Sequence, residues 1–361
     1  MAYFVIRLLK TENPRWCLGI GAAVGIALQT KYTMFFYLAG VLLGLLLTPA
    51  RRYLLTRWFW AGAGIALLIF LPNFIWQVHH DFISLQFLRQ IHARDVGEGR
   101  AEGYWSFQFL INANPVSVPL WIAGLIGFFR NARFRTLACM AVIPVLILWV
   151  CKGRGYYPGA IYPMLLAMGA VLMEAWIHRS NQRWLKSVAF VYLVALIAGG
   201  AYASTILVPW ASSGTLRDRA LKNNGDLREE IGWNELAKNV ASIRDSLPPD
   251  QRANVGILVG NYGEQGAIEL LGRAYTLPAP ISMTNSAWLR GYPTPPPSTL
   301  IILGNSAEWV NENFTSCRLA GHNTNSEGVD NEESHYHPDI FVCGPPRLPW
   351  AEFWQRHQRF G

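Results

Sequence analysis

The chain is short of charge. Asp, Glu, Lys and Arg supply 15% of its 361 residues, whereas 52% are hydrophobic; an ordinary soluble domain is roughly one quarter charged. That balance excludes a wholly water-soluble protein, because the apolar residues outnumber what a polar surface can cover. Cysteine is scarce as well. None of the five cysteines stands at zinc-ligand spacing, so no structural zinc is expected. Cys17, Cys139 and Cys151 fall inside apolar stretches and read as packing residues. Cys317 and Cys343 lie in a polar tail and could pair if that tail faces away from the cytoplasm. The chain also lacks a P-loop, a readable Ser-His-Asp or Cys-His constellation and any internal repeat.

What it has instead is apolar runs, over approximately Cys17 to Thr30, Thr33 to Thr48, Trp58 to Trp76, Val116 to Phe129, Thr136 to Cys151, Tyr157 to Ile177 and Ser187 to Val208. Several fall short of the ~20 residues that cross a hydrocarbon core, so tilted, broken or thinned segments are expected. The first two runs read as a hairpin turning at Lys31-Tyr32, since one helix from Cys17 to Thr48 would measure ~48 Å, beyond a ~30 Å core. The formal net charge is +8. Its cations gather between the runs, at Arg7/Lys10/Arg15, Arg51/Arg52/Arg57, Arg130/Arg133/Arg135 and Arg179/Arg183/Lys186, all of which the hairpin places on one side. This is an orientation signal marking the cytoplasmic face, and no nucleic-acid partner is expected.

The fold class follows: mainly α, a polytopic bundle of about seven membrane helices over residues 1–209, carrying a soluble α/β domain over 210–361. The expected location is the plasma (inner) membrane, with the tail periplasmic or otherwise extracytoplasmic. The non-cytoplasmic face then receives Lys31, Gln77 to Asn112, Lys152 to Tyr156 and everything after Pro209. Within Gln77 to Asn112, the spacing of Phe82, Leu85, Phe87, Leu88 and Ile91 suits an amphipathic helix at the interface, which need do no more than cover the bundle. Ala2 to Leu9 is apolar but too short to span, and reads as the last turns of a missing helix. In the tail, a helix is expected from Asn234 to Asp245, strands at Asn254 to Val259 and Thr299 to Leu303, and a helix from Ala267 to Leu271. Gly321 to His337 is polar enough to be a mobile loop.

Polar residues at the membrane boundary are the candidates for chemistry. Lys31 stands between two apolar runs, where a buried ammonium would cost on the order of 3 kcal/mol, so it either snorkels to the interface or meets an anion such as a lipid phosphate. Lys152, Arg154, Tyr156 and Tyr157 bring two cations and two phenols to one boundary; they suit a phosphate at headgroup depth, and an aromatic belt with a basic turn is the plainer alternative. Asn73 and Gln77 flank Trp76 in a run interrupted by Pro72, and either face a substrate cavity or cap a helix end. His79, His80 and Asp81 extend that possible cavity. Adjacent ligands rarely share one tetrahedral site, so neither a metal nor another cofactor is expected there. The loop Gly260 to Gly266 has the form of a ligand-binding turn, which tight backbone geometry explains as easily.

The order of the motifs carries a further signal. Gly25-Ile26-Ala27-Leu28-Gln29-Thr30-Lys31-Tyr32, then Leu71-Pro72-Asn73-Phe74-Ile75-Trp76-Gln77, then Lys152 with Tyr156-Tyr157 and Ile161-Tyr162-Pro163, together resemble the family 39 glycosyltransferases of the GT-C fold, which include protein mannosyltransferases and aminoarabinose transferases. The tail, with Asn261-Tyr262-Gly263-Glu264 and Arg290-Gly291-Tyr292-Pro293, is similar to the C-terminal domain of bacterial members. The resemblance implies inverting transfer of a sugar from a polyprenyl-phosphate donor to a lipid, glycan or protein acceptor outside the cytoplasm. It implies Lys31, Lys152 and Arg154 as neutralisers of the lipid phosphate, with Tyr156 and Tyr157 as supporting donors. It places the catalytic carboxylate on an early non-cytoplasmic loop that this sequence starts beyond, so the catalytic base is unassigned. A transporter or lipid flippase is the competing class, since broken helices and buried cations occur there too. A membrane-anchored binding domain is a third, for which seven spans are more than an anchor needs.

Overall fold

The computed structural model describes residues 1–180 and 182–361. The chain divides into two compact units, one of Met1–Phe82 with His92–Ala203 and the other of Ile83–Ile91 with Ser204–Gly361. Among the described residues, nine longer helices account for most of 1–207: α1 (Ala2–Thr11), α2 (Trp16–Thr30), α3 (Met34–Leu46), α4 (Arg57–His79), α5 (Ile83–Gly97), α6 (Val118–Arg130), α7 (Arg135–Val150), α8 (Tyr162–Ser180) and α9 (Arg183–Leu207).

Seven of these coincide with the seven apolar runs, but they are not equal in reach. Among the described residues, three segments are long and apolar enough to cross a membrane, Arg57–His79, Tyr157–Ser180 and Arg183–Leu207. Two bent pairs raise the count to five, Met34–Leu46 with Pro49–Leu55 at 106° and Tyr104–Ile111 with Pro115–Arg130 at 86°. The remaining two, α2 with 15 residues and α7 with 16, measure only ~22 to 24 Å at 1.5 Å per residue. Seven full crossings are therefore not given by length, and the expectation of broken and short segments is what the geometry matches. Each bend has a local cause. Thr48 caps the turn that follows α3, with Pro49 at its first position, and the Asn114 side chain accepts from the Val116 N–H at 3.0 Å ahead of α6, where Pro115 has no N–H to donate.

Small residues let the helices meet in pairs. A methyl group at Gly21 would lie 1.9 Å from the Gly62 carbonyl oxygen, so α2 and α4 touch backbone to backbone. Gly124 of α6 and Gly169 of α8 face the Leu165 and Leu120 carbonyls at 1.9 and 2.0 Å in the same sense, and Gly40 and Gly44 of α3 accept Pro144 and Thr136 of α7. In a membrane, where burial of apolar surface drives nothing, this close van der Waals fit is the main attraction between helices. At one end of the bundle Glu12 bridges Arg52 at 3.1 Å and Arg133 at 3.5 Å, which gathers three of the basic clusters on one face. At the other end lie the hairpin after α2, the end of α5 and the turn after α7.

The segment Gln77 to Asn112 is more ordered than an interfacial helix followed by a loop. After α5, the chain turns through Glu98 to Gly103 and enters a second helical piece, Tyr104–Ser106, continued by a π turn over Phe107–Ile111. No sequence expectation covered this piece, because its eight residues, though mostly apolar, are too short to read as a span.

The second unit holds a five-stranded sheet of β1 (Val255–Val259), β2 (Pro280–Ser282), β3 (Thr299–Ile302), β4 (Arg318–His322) and β5 (Asp339–Cys343), in the order β2-β1-β3-β5-β4. β1 pairs with β2 and β3 in parallel, while β5 is antiparallel to both β3 and β4. β1, β3 and β5 carry apolar, buried runs because both faces of the sheet are covered there. Leu236, Val240 and Ile243 of α10 (Trp233–Asp245) with Ile268 of α11 (Tyr262–Leu270) cover one face, and Val310, Phe314 and Phe353 the other. The expected glycine-rich loop after β1 is only a two-residue turn: Asn261 caps α11 by accepting from the Glu264 N–H at 2.9 Å, and the helix starts at Tyr262 rather than Ala267. The stretch expected to be mobile contains the end of β4 and a helical turn, Glu332–His335, fixed by the Asn331 capping box and by the 2.7 Å contact of His322 with Asp339. Cys317 and Cys343 form a disulfide.

Candidate functional site

The turn from Lys152 to Tyr157 owes its shape to a clamp on one carbonyl. The amides of Gln108 and Asn112 both donate to the Gly155 oxygen at 2.8 Å, and the Tyr162 hydroxyl donates to Gln108 Oε1 at 3.0 Å. The π turn places Gln108 and Asn112 one helical turn apart, so the two amides reach the same acceptor, and Asn112 Nδ2 also meets Gln108 Oε1 at 3.0 Å. Gly155 is buried against Phe107, whose Cγ would lie 2.5 Å from any β-carbon there. Tyr37 of α3 donates its hydroxyl to the Tyr157 carbonyl, tying the turn to a second helix.

On this support, two of the three expected cations and both expected phenols come together. Lys31 follows α2 and its Nζ lies over the Tyr157 ring at 5.0 Å and the Tyr156 ring at 5.5 Å. The two rings meet edge to face at 4.9 Å. Arg154 lies on the same turn, with its guanidinium bound by Asp95: Nε is 2.6 Å from Oδ2 and Nη2 is 2.8 Å from Oδ1. Asp95 is buried and also faces Arg94 at 3.6 Å and Arg100 at 3.7 Å. Burial pushes its carboxyl up, but the hydrogen bonds and charge of Arg154, then the charges of Arg100 and Arg94, outweigh this and hold it below the ordinary carboxylate range. It stays ionised. Lys152 takes a left-handed backbone conformation at φ 50°, is exposed and makes no ion pair among the described residues.

Beside Lys31 a cavity of about 410 Å³ opens between α2, α3, α7 and the start of α8. Ala27, Thr30, Thr33, Met34, Tyr37 and Met164 are among its walls, with Lys31 at its polar edge.

The second expected group is only partly joined to the first. The Tyr32 hydroxyl donates to Asn73 Oδ1 at 2.9 Å, and Gln77 Nε2 donates to the same hydroxyl at 3.1 Å, so both amides are connected to Lys31 through its sequence neighbour. Neither lines the 410 Å³ cavity. His80 stacks on Trp76 at 4.3 Å with Nδ1 2.7 Å from the Trp76 carbonyl, while His79 and Asp81 are exposed. Among the described residues no group of three or more His, Cys, Asp or Glu side chains is placed to hold a metal.

Asp95, Gln108, Asn112 and Tyr37 were not candidates from sequence. For Gln108 and Asn112 a signal existed, since each is an amide alone among Phe107, Phe109, Leu110 and Ile111. Asp95 had none, because its partner lies 59 residues away.

With this geometry in view, comparison with known proteins is informative. The family model described as dolichyl-phosphate-mannose-protein mannosyltransferase matches residues 1–76, which hold Lys31, Tyr32 and Asn73. The chain is 22% identical over 260 residues to the lipid A galacturonosyltransferase RgtD of Rhizobium johnstonii, covering 69% of this chain and 51% of that protein. It thus spans about half the length of that curated relative. No solved structure matches. The resemblance to GT-C glycosyltransferases, and a membrane location, are borne out by these matches together with the apolar helices.

Proposed function

We propose that the chain carries the donor-phosphate site of an integral-membrane glycosyltransferase, which transfers a sugar from a polyprenyl-phosphate carrier to an acceptor on the non-cytoplasmic side. The observation that carries this reading is the stacking of Lys31, which lines an apolar cavity, over the rings of Tyr156 and Tyr157 on the turn that also holds Arg154. A sugar-bearing phosphodiester with an isoprenoid tail, and the phosphate monoester it leaves behind, have that same division between anionic head and apolar chain.

In the reaction, the bond between the anomeric carbon and the phosphate oxygen breaks as a bond from the acceptor oxygen forms on the opposite face. The departing phosphate gains negative charge, and fixed cations in a water-poor site stabilise such charge more than they stabilise the ground state. Lys31 and Lys152 supply point charges, Arg154 a planar fork, and the Tyr hydroxyls additional donors. The acceptor's proton goes to a general base that we do not assign to a residue of this chain. The name of the similar galacturonosyltransferase makes a lipid A-type glycolipid the first acceptor to test. The disulfide between Cys317 and Cys343 supports a non-cytoplasmic tail, since such bonds persist in oxidising compartments.

Replacing Lys31 or Lys152 by Ala in the full-length protein is expected to lower transfer from a polyprenyl-phosphate sugar by at least about 100-fold, the loss seen when one preorganised charge-stabilising donor is removed. Membrane insertion should be unchanged. Wild-type rates in both variants would refute the donor site, and labelling of a tail residue from the cytoplasmic side would refute the orientation.

A further inference from the structure

We infer that Asp95 is a positioning residue, holding Arg154 so that the free edge of its guanidinium meets the donor phosphate. This rests on the donor-phosphate reading above and adds a residue and a role to it.

The two side chains differ in exposure. The Asp95 side chain is 7% exposed and that of Arg154 25%, so the carboxylate lies inside and the guanidinium between it and the surface. The pairing is side-on, through Nε and Nη2. That leaves Nη1 and the second N–H of Nη2 free to form a parallel pair of hydrogen bonds with another anion. Arg94 and Arg100 lie 3.6 and 3.7 Å from the same oxygen, Oδ1, and Arg100 also pairs with Glu98 at 2.7 Å, so three guanidiniums face two carboxylates and the cluster keeps a net positive charge.

The plainer role for such a pair is to hold the turn in place, and here that work is already done. The backbone at Gly155 is fixed by Gln108 and Asn112, and that at Tyr157 by Tyr37, without any help from Asp95. The hydrogen bonds that Asp95 adds to this turn go to the guanidinium. An arginine without that anchor would sample many rotamers, and few of them would present its fork to a phosphate beside Tyr156 and Tyr157.

The test uses the full-length protein in lipid nanodiscs and two probes, undecaprenyl phosphate and the uncharged undecaprenol, whose affinities are measured by competition. The wild type should prefer the phosphate by about 10-fold or more, as expected of charge-assisted bonds. Asp95→Asn should reduce that preference by about 10-fold through loss of orientation, and Asp95→Glu should restore most of it. Undecaprenol binding should be the same in all three proteins. A merely structural role would lower the affinity for both lipids together and leave the ratio alone, which would overturn the inference. So would Asp95→Asn with the full wild-type preference, while leaving the donor reading intact. A wild type with no preference would remove the donor reading itself. If Asp95→Asn does not fold, Arg154→Lys decides the matter. It keeps the charge but loses the fork that Asp95 orients, so retention of the full phosphate preference overturns the proposal and its loss supports it.

Discussion

Glu264→Gln gives a pH-dependent test of the second unit. Glu264 is 2% exposed at the start of α11, where its Oε2 accepts from the Gly260 N–H at 2.7 Å. Glu333 stands beside it, accepting from Asn261 Nδ2 at 2.9 Å. Burial first, and then the Glu333 charge, raise the Glu264 carboxyl well above its ordinary 4.5. Glu333 is itself raised by burial, with Glu332 and Glu229 adding to the effect, and the cation near Glu264 is Arg359. The sign follows from proton counting. Above pH 4.5 the unfolded chain releases a proton that the folded domain retains. The stability this carboxyl contributes is therefore complete below pH 4.5 and falls by about 1.4 kcal/mol per pH unit, until the folded group also ionises. Gln has the same shape, keeps an acceptor for Gly260 and can donate to Glu333 in place of the shared proton. Glu264→Gln should therefore match the wild type near pH 4 and gain on it by about 1.4 kcal/mol for each unit above pH 5. Amide exchange of Val255–Leu270 in the full-length protein, corrected for intrinsic rates, reads this directly. Wild-type protection that is flat between pH 5 and 8, or a variant less stable than the wild type at pH 8, would refute the reasoning.

Two other expectations concern packing. Gly124→Ala puts a methyl group on the Leu165 carbonyl and must separate α6 from α8, at a cost of about 1 to 3 kcal/mol or more; an unchanged thermal inactivation midpoint in detergent would contradict that close approach. The disulfide closes a loop of 26 residues, so Cys343→Ser should destabilise the tail by about 3 kcal/mol on loop entropy, and a reducing agent should do the same to the wild type. Equal denaturation midpoints with and without reductant would show that the bond does not constrain the unfolded chain.

The membrane helices were legible because hydropathy is a local property. Trp58 to Trp76 became Arg57–His79 and Ser187 to Val208 became Arg183–Leu207, with errors confined to the ends, where polar caps such as Thr56 set the boundary. The second helical piece at Tyr104–Ile111 was not legible. Only Tyr104 and Gln108 of this stretch are buried, one helical turn apart, and a single repeat is too little to show a period. Among the candidate residues, Lys31, Tyr156 and Tyr157 stood out because polar groups are rare in apolar runs. Asp95 did not, since among Arg89, Arg94, Glu98 and Arg100 it looks like any solvated acid. What distinguishes it is burial beside Arg154, a property of the tertiary structure.

The placement of Lys31 over two aromatic rings has a consequence for how an anion arrives. A ring face attracts a cation through its quadrupole and removes none of its charge. No carboxylate lies within ion-pairing distance of Lys31 among the described residues, so no fixed counter-ion sits against the side chain that the rings hold in place. At the proposed donor site, an incoming phosphate would meet a cation with no counter-ion to displace, and next to it, at Arg154, one whose partner remains behind. On that proposal the first sets how fast the headgroup is drawn in; the second, how it is turned once there.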